Sequence, residues 1–79
     1  MTVKLFARLR DITGAEELTR DLPAGATIGN VWRDLAAEFP ALSEYERSIS
    51  AAVNLDYARM NTEVRDGDEI AFLPPVSGG

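Results

Sequence analysis

The C-terminal run Leu73-Pro74-Pro75-Val76-Ser77-Gly78-Gly79 holds the residues best placed for chemistry, and the group they offer belongs to the main chain. Pro74 and Pro75 stiffen the chain and project it in an extended form, because paired prolines favour the polyproline conformation. Val76 adds one apolar contact after them. Gly78 and Gly79 carry no side chain, so they can enter a channel too narrow for a Cβ. Such a tail can present the α-carboxyl group of Gly79 to an enclosed site on another protein, and no processing step is expected to be needed first. A frayed terminus is the simpler account of a lone Gly-Gly. A loose end, however, has no need of two prolines between a strand and the glycines.

The side chains elsewhere offer little catalytic equipment. The chain has no Cys and no His, which removes disulfides, thiolate metal sites, a Cys nucleophile and the usual general base. Asp66, Asp68 and Glu69 stand close together, but they lack the ligand spacing of a calcium loop and read as a solvated turn. Acids outnumber bases, 13 to 8, for a formal net charge of -5. That balance disfavours nucleic acid as a partner and suits a soluble domain. Arg8 and Arg10 read as solvated charges, with partner recognition as the sharper possibility. Lys4 is the only lysine, hence the only side-chain amine open to isopeptide formation. No apolar run reaches the roughly 20 residues of a membrane span. The start, Met1 to Phe6, does not resemble a signal peptide. The expected location is the cytoplasm.

The 79 residues allow one compact domain. We expect it to span 1–73, with 74–79 as the extended tail. Val3, Leu5, Ala7 and Leu9 alternate with Lys4, Phe6 and Arg8, the period of a strand. Phe6 breaks that alternation and points to a second surface that becomes partly covered. Asp11 to Gly14 reads as a turn into a polar edge strand over Glu16–Leu22, the two strands forming an antiparallel hairpin. Thr27 is a good N-cap, and Ile28, Val31, Trp32, Leu35, Ala36 and Phe39 recur at helical spacing. That spacing makes Trp32 and Phe39 core residues rather than a ligand box. Pro40 stops the helix. Leu42, Tyr45 and Ile49 fit a short helical segment. Ala51 to Asn54 reads as a short buried strand, Asn54 to Tyr57 as a turn and Tyr57 to Met60 as a brief strand. Arg65-Asp66-Gly67-Asp68 is a turn. Glu69 to Leu73 is the last strand, ended by prolines that cannot donate to a ladder. Ile70 and Phe72 should face the core. Leu73, Val76 and Phe6 are candidates for an apolar docking patch. The economical arrangement is α+β: one main helix across one face of a mixed sheet, with the first and last strands central.

The closing run Asp66-Gly67-Asp68-Glu69-Ile70-Ala71-Phe72-Leu73-Pro74-Pro75-Val76-Ser77-Gly78-Gly79 resembles the end of the MoaD-type proteins, within the ThiS/MoaD family of ubiquitin-like sulfur carriers. Val3 to Arg10, Leu22 to Thr27 and Ala52-Val53-Asn54 resemble the same family in the same order. The likeness covers essentially the whole chain, and the closing run is its most specific part.

The resemblance implies a β-grasp fold and a carrier role in molybdopterin synthesis. An adenylyltransferase of the ubiquitin-activating type would use ATP to adenylate Gly79. A sulfur donor would convert the adenylate to a thiocarboxylate. The tail, Pro74 to Gly78, would then insert into the large catalytic subunit of molybdopterin synthase. Neither a permanently bound cofactor nor a metal is implied, and the chain would not be an enzyme by itself. Catalytic acids and bases would come from the partners. Three other readings stay open: a sulfur carrier for thiamine, cysteine or thiolated-tRNA synthesis, a protein modifier joined to lysines through Gly79, and a binding domain with an inert tail.

Overall fold

The computed structural model describes residues 1–75. Five strands, β1 (Thr2–Leu5), β2 (Glu17–Thr19), β3 (Ser50–Val53), β4 (Asp56–Ala58) and β5 (Glu69–Leu73), form one sheet in the order β2-β1-β5-β3-β4. β1 and β5 run parallel, with Val3 opposite Ile70 and Leu5 opposite Phe72. The other pairings are antiparallel. The first and last strands therefore lie inside the sheet, and the polar β2 forms one edge.

The period of two decides which face is covered. Val3, Leu5, Ile70, Phe72 and Ala51 are buried on one side. Against them packs α2 (Ile28–Glu38), whose Ile28, Val31, Trp32 and Leu35 are almost wholly buried. Trp32 meets Phe72 edge-on at 5.0 Å between ring centroids, the arrangement that places a positive ring edge on a negative ring face. The start of α2 is secured by a capping box. The Asn30 N–H donates to Thr27 Oγ1 at 3.3 Å, and the Thr27 N–H donates to Asn30 Oδ1 at 2.9 Å. Beyond Phe39 the chain turns into a 3-10 helix, Pro40–Tyr45, which buries Leu42. Asp34 and Glu38 lie off the buried stripe and are exposed, and both pair with Arg20.

The expected hairpin of Val3–Leu9 with Glu16–Leu22 is shorter than its alternation implies. The pairing itself is present, with Val3 opposite Leu18. β1, however, stops at Leu5, and α1 (Arg8–Thr13) occupies the second half of the expected strand and most of the expected turn. Leu9 is fully buried from this helix, and Ile12, one turn on, packs against the core. Gly14 closes it with φ +73, its N–H donating to the Arg10 carbonyl at 2.8 Å, a left-handed cap that glycine adopts without cost. Arg8 and Arg10 are thus helical residues, not strand residues. The second hairpin also differs by a residue: Val53 to Asp56 makes the turn, and Tyr57 lies inside β4.

Candidate functional site

The face of the sheet away from α2 carries the other set of alternating residues. The register places Ala71 between Lys4 and Ala52, with Glu17 and Tyr57 at the two ends of that row. Small side chains thus occupy the middle, and Tyr57 stands 82% exposed at the β4 edge. Lys4 Nζ lies 3.4 Å from Glu69 Oε1 on the same face. Both groups are more than a third exposed, so this pair orients charge and adds little stability.

Phe6 and Leu73 belong to this side of the molecule. Leu73 follows Phe72 within β5, and Phe6 follows Leu5 just beyond the end of β1. Phe6 remains 44% exposed, although a large apolar side chain gains by burial. It lines an open groove with Lys4, Arg10, Glu16 and Glu17. Leu73 is half-buried and ends β5. Pro74 is half-buried and Pro75 exposed. The root of the tail therefore leaves a central strand, beside the end of β1 from which Phe6 projects. Val76, Ser77, Gly78 and Gly79 lie outside the described residues.

The turn after Phe6 is backbone-controlled. The Leu9 N–H donates to the Phe6 carbonyl at 3.0 Å, and Asp11 N–H donates to the Ala7 carbonyl at 3.2 Å. Ala7 itself has φ 51 and ψ -123, a region in which a Cβ is crowded and which costs about 1–3 kcal/mol. Arg10 reaches Glu16 at 3.6 Å across exposed surface, and Arg8 is exposed beside it.

The acidic turn behaves as a structural clamp. Asp68 accepts from the Arg65 N–H at 2.8 Å and from Asn54 Nδ2 at 3.1 Å. These bonds, the backbone one first, hold its carboxyl below the ordinary carboxylate value. Asn54 also accepts from the Glu69 N–H at 3.0 Å, tying the β3–β4 turn to the start of β5. Among the described residues no cluster of acids has the arrangement of a metal site, and no helix is long and apolar enough to cross a membrane.

The sequence draws attention to Phe6 and Leu73 as docking contacts but not to Tyr57, which it shares between the end of a turn and the start of a brief strand. Its signal is the period of two: Ala58 packs against the core, which turns its neighbour Tyr57 to the outer face.

A mixed five-stranded sheet with parallel central strands, crossed on one face by a helix, is the β-grasp architecture of ubiquitin-like proteins. The chain belongs to the ThiS family, whose pattern matches residues 3–79. A molybdopterin synthase sulfur carrier subunit of Arabidopsis thaliana is 39% identical over 77 residues, covering 98% of this chain and 80% of that protein. Among solved structures, SAMP1 of Haloferax volcanii superposes with a TM-score of 0.84 at 32% identity, covering 99% of this chain and 97% of that one. A chain in the complex of subunits 1 and 2 of the molybdopterin-converting factor from Helicobacter pylori gives a TM-score of 0.67 at 26% identity, covering 99% and 96%.

Proposed function

We propose that this chain is the sulfur carrier subunit of a molybdopterin synthase, with sulfur held on the α-carboxyl group of Gly79. The observation that carries this reading is a family match that runs through Gly79, together with similarity over 98% of this chain to a carrier subunit of that synthase. The chemistry follows from the tail. A carboxylate is a poor acyl donor because oxide is a poor leaving group. An activating enzyme joins the Gly79 carboxylate to the α-phosphorus of ATP and releases pyrophosphate. Sulfide sulfur from a donor displaces AMP and leaves a thiocarboxylate. That sulfur attacks the pterin precursor, and water cleaves the acyl–sulfur bond to restore the carboxylate. The carrier contributes reach, a narrow profile at Gly78 and Gly79, and a docking face. Acids, bases and oxyanion donors are supplied by its partners. The chain needs no permanently bound cofactor, and ATP is used by the activating enzyme.

Docking is assigned to the outer sheet face around Phe6, Leu73 and Tyr57, and its occupant to the large catalytic subunit. The Helicobacter pylori complex of two converting-factor subunits supports such an assembly. The likeness to SAMP1 keeps a second reading in view, attachment of Gly79 to lysines of other proteins, since that relative is named a small archaeal modifier.

Intact mass separates the readings. The chain is incubated with ATP, a sulfur source and the activating enzyme of its host, beside a variant lacking Gly79. Exchange of one terminal oxygen for sulfur in the full chain alone is the expected result. An unchanged mass with a competent activating enzyme removes the carrier reading, and lysine-linked adducts on many proteins support the modifier.

A further inference from the structure

The chain offers two amines, and the fold treats them differently. The Met1 ammonium donates to the Arg20 carbonyl at 2.9 Å and lies 3.9 Å from a carboxylate oxygen of Asp21, and Met1 itself is buried. Lys4, the only lysine, sits on the sheet face away from α2, opposite Ala71 and in the wall of the groove that Phe6 lines. Its side chain is more than a third exposed, and its one ionic partner among the described residues is Glu69, 3.4 Å away. A reagent that acylates amines therefore meets Lys4 before Met1. The activation assigned to Gly79 makes such a reagent, since an acyl adenylate is open to amines as well as to sulfur nucleophiles.

We propose that Lys4 is an acceptor site: when no sulfur donor is present, its amine takes the Gly79 acyl group of a second copy, joining the two chains by an isopeptide bond. The proposal rests on the adenylation of Gly79 read above. Lys4 Nζ first gives up a proton, for which the Glu69 carboxylate is the neighbouring base. The nitrogen lone pair then forms the C–N bond, the carbonyl C–O bond to phosphate breaks, AMP leaves with that electron pair, and the nitrogen loses a second proton to solvent. The acceptor is a second copy because Pro74 and Pro75 stiffen the root of the tail against folding back on its own sheet. A sulfur donor competes for the same adenylate. Once the thiocarboxylate forms, this branch closes, because a thiocarboxylate anion is a poor acyl donor. An adduct at Lys4 covers the face assigned to docking, so joined chains are withdrawn from the large subunit.

The test incubates the chain with ATP and the activating enzyme of its host, without a sulfur source, and reads intact and peptide masses. Exchange of labelled pyrophosphate into ATP reports adenylation separately. The expected product has the mass of two chains less one water, carries Gly79 on Lys4, and gives way to the thiocarboxylate when a sulfur source is added. Lys4→Arg should lose the product while pyrophosphate exchange continues. Mixed with a chain lacking Gly79, the same variant should regain the product by acting as donor. Pyrophosphate exchange with no product, or a product joined at Met1, overturns the proposal and leaves the carrier reading standing. A mass of one chain less one water shows acceptance within the same chain and also overturns it. If pyrophosphate does not exchange, the adenylation of Gly79 fails and the proposal goes with it.

Discussion

Phe6 and Leu73 each stand one residue beyond the Leu5–Phe72 pair, the last step of the parallel β1–β5 register. Two apolar side chains are thereby set at the same end of adjacent strands, where β5 hands over to Pro74. A partner that receives the tail must approach this end. Because Phe6 is 44% exposed in the free chain, its truncation removes little from the fold. The expected outcome for Phe6→Ala is a Kd for the large subunit raised about tenfold, with Tm nearly unchanged. Titration calorimetry beside a thermal melt measures both. A large fall in Tm would place Phe6 in the core instead.

The turn at Asp68 predicts a specific acid sensitivity. Asp68 is held below its ordinary value of 3.8, first by the Arg65 N–H and then by the Asn54 side chain. A carboxyl whose folded pKa lies below its unfolded one stabilises the fold above the unfolded value. That contribution is lost as pH falls through the folded value. Stability should therefore decline as the pH drops below 3.8. Asp68→Asn should flatten that decline, because the replacement cannot titrate. Denaturant melts of both chains through this range make the comparison. Parallel decline in the two would assign the acid loss to other carboxylates.

Much of this fold can be read from spacing, and the places where it cannot have identifiable causes. α2 announces itself through Ile28, Val31, Trp32 and Leu35, and its start through Thr27, because burial of one stripe and capping of free N–H groups each leave a sequence mark. β5 is bounded by Gly67 and Pro74, and its alternation matches its burial. The stretch after Phe6 misleads because Val3, Leu5, Ala7 and Leu9 continue an alternation that β1 abandons at Leu5. A helix of six residues contributes only Leu9 and Ile12 as periodic signal. Ala7 adds to the difficulty, since a positive φ at a residue other than glycine has no signature in composition. The break at Phe6 puts an apolar side chain on the outer face, where it stands exposed in the free chain. Tyr57 stands where the expected turn and the expected strand meet, and a strand of three residues is too short for alternation to mark its outward face.

The capping box offers a control that separates fold from docking. Thr27 Oγ1 accepts the Asn30 N–H at 3.3 Å at the head of α2, on the face opposite Phe6 and Leu73. Thr27→Ala leaves that N–H without its side-chain partner and should cost about 1 kcal/mol. In a chain of this size that is a fall of about 4–8 °C in Tm. Affinity for the large subunit, measured well below the melt, should stay at the wild-type value. A matching loss of affinity would mean that α2 takes part in docking.

At the β3–β4 turn Asn54 and Leu55 both have positive φ, 50 and 75. Asn54 suits this conformation and is held by its bonds to Asp68 and Glu69. Leu55 suits it poorly, and it is 89% exposed, so its side chain recovers little by packing. A left-handed residue other than glycine costs about 1–2 kcal/mol, and glycine gives back part of that gain through its freer unfolded chain. Leu55→Gly should therefore stabilise the domain by about 0.5–1 kcal/mol. Leu55 lies beside Glu69, toward the end of the sheet opposite the root of the tail, so loading of Gly79 with sulfur should proceed at an unchanged rate. Urea melts give the first quantity and the time course of the mass change gives the second. A slower time course for a stabilised chain would mark Leu55 as a contact for the activating enzyme, and its strained, exposed position would then have a functional cause.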